Sequence, residues 1–310
     1  MPLTKEQDEL RKQGVGASDV PALLGLSDWG GPAALYARLT GDNPEPSVSN
    51  PATERGDELE EPVANWVAKK YGVELVRGGT AFHPHWRYEL ATPDRLVALS
   101  GMPVECKTAA GSMAHEWGEE QTDNVPLRYL AQVQWQLWVL QRTEAWLAVL
   151  VGGHRFEFRR YVIQADKELQ EMMHEVVTRF YTKHVLPRVP PPPDGTDSYT
   201  KWLTRKYPQS TDVWLAGSPE TDAHAMRYGE LKRQFEELEV KLEAEKNYLK
   251  AAIGDAAGIK STLYNITWKA TKPISRVDLE ALETAHPDLV ARYRREVAHS
   301  RPFRFTLKAP

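Results

Sequence analysis

Cysteine is nearly absent: Cys106 is the single one in 310 residues. That excludes an intramolecular disulfide framework and any four-cysteine zinc or iron–sulfur centre, and it points to a reducing cytoplasm. Long apolar runs are missing as well. No stretch approaches the roughly 18 residues of a membrane-spanning helix, and the beginning of the chain, charged from Lys5 to Lys12, has no signal-peptide pattern. The expectation is a soluble cytoplasmic protein with no membrane contact. Excess positive charge is also lacking, since the formal net charge is −4. This argues against a diffuse nucleic-acid coat but leaves room for a focused site, because a groove needs only local basic residues. His83-Pro84-His85 has no third ligand at a convincing spacing, so ordinary loop histidines account for it better than a zinc site does. What is present is length enough for one large domain or two ordinary ones, and ten tryptophans that suit a packed core.

Hydrophobic periodicity and punctuation divide the chain. Residues 5–13 read as a short charged helix, and Gly14–Asp19 leads into a helix over Val20–Leu26 that Ser18 or Asp19 can cap, leaving backbone N–H groups for an anion. A helix carrying Leu35, Tyr36 and Leu39 follows, then an exposed connection over Asn43–Pro51. The spacing of Leu59, Val63, Trp66 and Val67 predicts a helix over Thr53–Tyr71 closed by Gly72, with Glu58, Glu60 and Glu61 in its early turns. Val73–Val76 is a strand and Ala81–Leu90 leads into a hairpin. Ala109–Val125 is irregular and polar. Pro126 starts a helix over Leu127–Leu140, with a core stripe of Leu130, Val133 and Leu137 and a polar seam of Tyr129, Gln132 and Gln136. Strands over Glu144–Val151 and His154–Ile163 and a helix over Asp166–Leu186 complete an α/β (α+β) domain with a mixed central sheet flanked by helices.

The proline run from Pro187 is the clearest break and reads as an extended spacer. The expected organisation is a first domain over 1–186, a linker over 187–197, and a mainly helical extension over 198–310. In the extension, Lys201, Arg205 and Lys206 fall in one segment, and a long helix over Asp222–Ile253 carries a heptad of Tyr228, Leu231, Phe235, Leu238, Leu242, Leu249 and Ala252, interrupted by Glu245. Residues 261–270 resemble a strand, and the tail interleaves Arg294, Arg295, Arg301 and Arg304 with Tyr293, Phe303 and Phe305.

Chemistry concentrates between Asp94 and Lys107. The apolar run Leu96–Leu99, a Ser100-Gly101 turn and a second short run make a hairpin. Alternation along the second strand sends Glu105 and Lys107 to one face and Val104 and Cys106 to the other. Two carboxylates and a lysine can then meet, and hard oxygen ligands suit Mg²⁺ or Mn²⁺ beside a lysine that orients water. The pattern resembles the Asp, (Asp/Glu)-x-Lys signature of restriction-endonuclease-like nucleases. Taken alone, it also fits a solvated amphipathic hairpin whose charges face water.

Five separated pieces together resemble the YqaJ/lambda-exonuclease family of viral recombination nucleases, over about residues 10–186. They are Gly16-Ala17-Ser18-Asp19, Gly56 with Glu60, Thr92-Pro93-Asp94, Glu105-Cys106-Lys107, and the segment from Tyr129 through Gln132 to Trp138. The resemblance implies a restriction-endonuclease-like core in which Asp94, Glu105 and the backbone carbonyl of Cys106 hold Mg²⁺ and Lys107 positions water. Glu60, or Glu61 in its place, would serve a second metal or the water network, and Gln132 would support the lysine and metal shell. Arg11, Ser18 and Thr92 would bind a terminal 5′-phosphate, and Tyr129 would contact DNA. A further arginine after the Glu-x-Lys lysine, present in lambda exonuclease, has no counterpart in Thr108–His115. The implied activity is 5′-to-3′ digestion of duplex DNA ends by a phage or prophage enzyme in the bacterial host cytoplasm. Its expected setting is a homo-oligomeric ring that hands single strands to an annealing protein or recombinase. The alternatives are an endonuclease or nickase using the same site, and a non-catalytic DNA-binding assembly protein working through the C-terminal helix and tail.

Overall fold

The apolar stretches around the Asp94–Lys107 hairpin pair into one sheet. In the computed structural model, which describes residues 4–27, 30–42, 51–153, 156–272, 275, 277–295 and 302–305, two compact units divide after Tyr207. The first unit opens with helices α1 (Lys5–Arg11), α2 (Val20–Leu23), α3 (Pro32–Thr40) and α4 (Pro51–Tyr71). Strands β1 (Leu75–Arg77), β2 (Ala81–Phe82), β3 (Leu90–Ala91), β4 (Arg95–Val97) and β5 (Pro103–Ala109) follow. Helix α5 (Leu127–Leu140), strands β6 (Glu144–Val151) and β7 (Glu157–Gln164), and helices α6 (Lys167–Phe180) and α7 (Asp197–Lys206) complete it. The central sheet has the order β1-β4-β5-β6-β7, and β2 and β3 form a separate pair. β1 pairs antiparallel with β4 and β4 antiparallel with β5, β5 and β6 are parallel, and β7 returns antiparallel to β6. A parallel step needs a crossover, and α5 supplies it.

Each face of the sheet has its own helix. Val63, Ala64 and Val67 of α4 pack with Val97, Val104, Cys106, Ala148 and Leu150. Val133 and Leu137 of α5 pack on the opposite face with Leu147, Val149, Tyr161 and Ile163. The far side of α5, through Ala131, Trp135 and Val139, is covered by Val20, Leu35, Tyr36, Met173 and Val177 of the surrounding helices. α5 is therefore buried between the sheet and a helical layer. That is why seven of its fourteen residues are buried, among them the polar Gln134 and Gln136.

Several boundaries differ from the sequence expectation. The helix after Asp19 is a single turn, Val20–Leu23, and Asp19 makes no side-chain cap bond to it. Its carboxylate turns back to accept from the Gly16 N–H (2.8 Å) and from Arg38 (2.5 Å). Part of the irregular stretch after β5 forms a 3₁₀ turn over Gly111–Glu116, and α6 passes into a π-helical turn over Tyr181–Val185. The proline-rich run lies inside the first unit. Beyond it, Tyr199 and Trp202 of α7 join the helical core. Trp202 also donates to the Asp42 carbonyl at 3.0 Å, and Lys206 pairs with the Asp42 carboxylate at 2.7 Å. The second unit contains α8 (Pro219–Ile253), β8 (Gly258–Lys260), β9 (Asn265–Thr267), α9 (Leu279–Ala285) and α10 (Pro287–Tyr293). The strand expected over 261–270 is the second half of a β8–β9 hairpin. Most of the Asn43–Pro51 connection, the start of the strand expected from His154, and Arg301 lie outside the described residues.

Candidate active site

Strand alternation places Glu105 and Lys107 on the face of β5 opposite Val104 and Cys106, whose side chains sit in the α4 core. α5 crosses over that face. Its i, i+4 pair Gln132 and Gln136 presents two amides to one carboxylate: Gln132 Nε2 donates to Glu105 Oε1 (2.5 Å) and Gln136 Nε2 to Glu105 Oε2 (2.6 Å). Lys107 Nζ donates to Glu105 Oε1 at 2.5 Å and lies 5.4 Å from the centre of the Tyr129 ring. Glu105 is 2% exposed, so its orientation is set by these three donors rather than by solvent. Gln136 is fully buried, and its Oε1 has no hydrogen-bond partner among the described residues.

Asp94 comes from the bend immediately before the neighbouring strand β4. Its Oδ2 accepts the Cys106 N–H at 2.8 Å, past the last β4–β5 pair, which joins Arg95 to Val104. In a strand the N–H and C=O of one residue point to the same edge, so the Cys106 carbonyl also faces the side where Asp94 sits. The Cys106 thiol lies in the α4 core, and burial, followed by the charges of Asp94 and Glu105, pushes it well above its ordinary range. Cys106 therefore offers an oxygen and not a thiolate. The turn beneath Asp94 is tightly built: a Cβ at Gly78 would stand 1.9 Å from the Pro93 carbonyl oxygen. The Gly78 N–H donates to the Asp94 carbonyl at 3.2 Å, and the buried amide of Gln7 in α1 donates to the Gly78 carbonyl at 3.1 Å.

The electrostatics are those of a site with surplus negative charge. Burial first, and then the charge of Glu105, pushes the Asp94 carboxyl up to about 8. Burial pulls Lys107 down, but Glu105 and Asp94 outweigh it and hold the amine above its ordinary range, as an ammonium. One lysine faces two carboxylates. An oxygen-only donor set of Asp94, Glu105 and the Cys106 carbonyl, short of one positive charge, fits a hard divalent cation such as Mg²⁺ or Mn²⁺.

The remaining expected site residues fall in three places. Arg11 donates to the Ser18 hydroxyl at 2.6 Å, so these two meet in the Gly16–Asp19 turn. Val15, just before that turn, bonds both Tyr88 and Leu90, just ahead of Thr92, whose hydroxyl shares a 2.8 Å hydrogen bond with Thr80. Tyr129 stacks on Trp117, with ring centres 5.5 Å apart, under Lys107. Glu60 and Glu61 stand on α4 and converge on the buried Arg95 guanidinium, each at 2.5 Å. The field of Glu60 still contributes to raising Asp94. Sequence reading alone did not pair Gln136 with Glu105, Arg95 with Glu60 and Glu61, or Gln7 with Gly78. The first had a signal in the four-residue spacing from Gln132, whereas the other two depend on long-range contacts. His83 is buried against Trp86 and Trp138, and burial holds its ring down at about 4. It serves as a core histidine.

A helix, three antiparallel strands, a crossover helix and a parallel strand make a mixed α/β core, with Glu105 and Lys107 on the third of those strands and Asp94 immediately before the second. Residues 7–145 match the model of the YqaJ-like viral recombinase domain. Protein YqaJ of Bacillus subtilis (strain 168) is 28% identical over 301 residues, covering 94% of this chain and 91% of its own. Among solved structures the chain is similar to an alkaline exonuclease from Laribacter hongkongensis, at 19% identity and a TM-score of 0.48, covering 66% of this chain and 97% of that one. It is also similar to a phage related exonuclease from Haemophilus somnus 129PT, at 15% identity and a TM-score of 0.43, covering 56% of this chain and 96% of that one.

Proposed function

We propose that the first unit is a metal-dependent deoxyribonuclease that digests duplex DNA from 5′ ends. The observation that carries this reading is the convergence of Asp94, Glu105 and Lys107 at the edge of β5, with Glu105 held by two amides and Asp94 by the Cys106 N–H. Asp94, Glu105 and the Cys106 carbonyl would hold Mg²⁺, or Mn²⁺ in its place, and the bound cation supplies Lewis-acid polarisation of the scissile phosphodiester. Lys107, an ammonium beside both carboxylates, donates hydrogen bonds that orient the attacking water and offset charge on the phosphate. Tyr129 beneath the lysine limits its swing and presents a ring to DNA. Gln132 and Gln136 keep Glu105 in one orientation, and Glu60 adds negative field behind Asp94 or joins the water network, with Glu61 beside it on Arg95.

Arg11, Ser18 and Thr92 are assigned to the terminal 5′-phosphate. A guanidinium and two hydroxyls can prefer a terminal phosphate, which carries more charge than an internal one. The single strands left behind would pass to an annealing protein or recombinase, with the enzyme working as a homo-oligomeric ring in a bacterial host cytoplasm during phage recombination. The deciding experiment is purified protein with Mg²⁺ on end-labelled linear duplex and on closed circular DNA. Loss of label from 5′-phosphorylated linear ends, with circles intact, is the expected result. Arg11→Ala should narrow the preference for 5′-phosphate over 5′-hydroxyl ends by about tenfold. Efficient cutting of circles would move the protein to the endonuclease or nickase reading, and no cutting of either substrate would leave a DNA-binding assembly role.

A further inference from the structure

α8 is 35 residues long and buries only Ile253. Helices of this length in globular proteins hide an apolar stripe, and among the described residues nothing of its own unit covers most of this one's stripe. Leu231, Phe235, Leu238 and Leu242 recur at intervals of four, three and four, and they are 58%, 60%, 63% and 69% exposed. The polar side is internally satisfied: Arg233 pairs with Glu230 at 2.7 Å and with Glu237, and Lys246 pairs with Glu243. Among the described residues, the chain's own tail meets the stripe at its beginning. There Tyr228 packs edge-on against Phe303 and Phe305, with ring centres 5.4 and 5.1 Å away.

We propose that α8 pairs with α8 of a second copy of this chain as an antiparallel coiled coil in which Phe235 of each faces the partner's Leu238. The charges beside the stripe choose both the occupant and its direction. Taking Tyr228, Phe235 and Leu242 as a positions and Leu231, Leu238 and Glu245 as d positions, a parallel pair sets Arg227 against the partner's Lys232 and Lys241 against the partner's Lys246. Both contacts repel. The antiparallel pair sets Lys232 against the partner's Glu239, and its two-fold symmetry makes that ion pair twice. The same register stacks Leu231 on the partner's Leu242 and puts Glu245, the break in the heptad, in the layer of the partner's Tyr228, whose hydroxyl can donate to it. A polar residue that finds a partner in one register and none in its neighbours fixes that register. This contact is separate from the active site and stands whether or not the first unit cuts DNA.

The test uses the full chain. Leu231→Cys and Leu242→Cys chains, each made separately, should form a disulfide-linked dimer when mixed and oxidised, and far less when either is oxidised alone. Self-linking of Leu231→Cys, or no link in the mixture, would overturn the proposal. Leu238→Glu should reduce the sedimenting mass to about half that of the unsubstituted chain, because one two-fold contact is lost. Its helix content by circular dichroism should be unchanged. Lys232→Glu and Glu239→Lys should each weaken pairing by about tenfold, and the double exchange should restore it, since the symmetric contact again joins opposite charges. Equal mass for the original chain and Leu238→Glu, or a double exchange no better than either single one, would show that a second copy is not what covers this stripe.

Discussion

Two glutamates of the first unit are equally hidden and differently answered. Glu89 is fully buried, and its carboxylate accepts from Trp138 Nε1 at 2.7 Å and from His174 Nδ1 at 2.6 Å. Burial raises its pKa while those two donors lower it. It ties the hairpin strand at Glu89 to α5 and α6 and has a donor for each oxygen. Glu105 is met by an ammonium and two amides, but a second carboxylate, Asp94, and a strand-edge carbonyl stand beside it. The difference teaches what to seek in a buried acid. A satisfied carboxylate holds a structure together, whereas one that shares its surroundings with another carboxylate is left with charge that an ion or substrate can complete.

The sharpest way to break the comparison is to remove charge from each site. Lys107→Ala and Asp94→Ala should lower Mg²⁺-dependent cleavage by on the order of a thousandfold while DNA binding persists, because both groups act mainly on the transition state. Filter binding in Ca²⁺ alongside cleavage in Mg²⁺ would read the two effects apart, and full activity in Lys107→Ala would remove it from the mechanism. Glu89→Ala should do the reverse. Leaving the Trp138 and His174 donors without an acceptor should destabilise the fold by about 3 kcal/mol. The surviving folded enzyme should keep its turnover, as urea denaturation and active-site-normalised rates would show. A large loss of turnover at unchanged stability would make Glu89 part of the chemistry.

Smaller changes sharpen the picture. Gln136→Leu removes the donor to Glu105 Oε2 and should weaken metal activation by about 10- to 100-fold, read as a rise in the Mg²⁺ concentration needed for half-maximal rate. If that concentration is unchanged, Gln136 only fills space. The pH dependence has a definite sign. Asp94 is held near 8 in the folded protein against an ordinary value of 3.8, so the folded state binds this proton more tightly than the unfolded chain. The metal-free protein should therefore be penalised progressively as pH rises from about 4 to about 8, with the full penalty above that window. Added Mg²⁺ should stabilise the protein more at pH 8 than at pH 5, and Asp94→Asn should flatten the difference. Equal increments at both pH values, measured by thermal denaturation, would argue that no cation is drawn to Asp94.

By itself the sequence determined what local periodicity can determine. The two-residue repeat of β5 separates Glu105 and Lys107 from Val104 and Cys106, and the helical repeat of α5 lines up Tyr129, Gln132 and Gln136. Both repeats hold in the structure because neighbouring residues on one element have no other way to point. Tertiary structure alone decided which face of the sheet α5 covers, and so that the glutamines answer Glu105. Long-range packing likewise set Arg38 against Asp19, whose carboxylate turns away from α2, and brought Arg95 between Glu60 and Glu61. It also carried the first unit past the proline run to Tyr207, because Trp202 and Lys206 find their partners at Asp42, some 160 positions earlier. A proline run shows that the chain is stiff, but it says nothing about whether the segment beyond it has a core to return to.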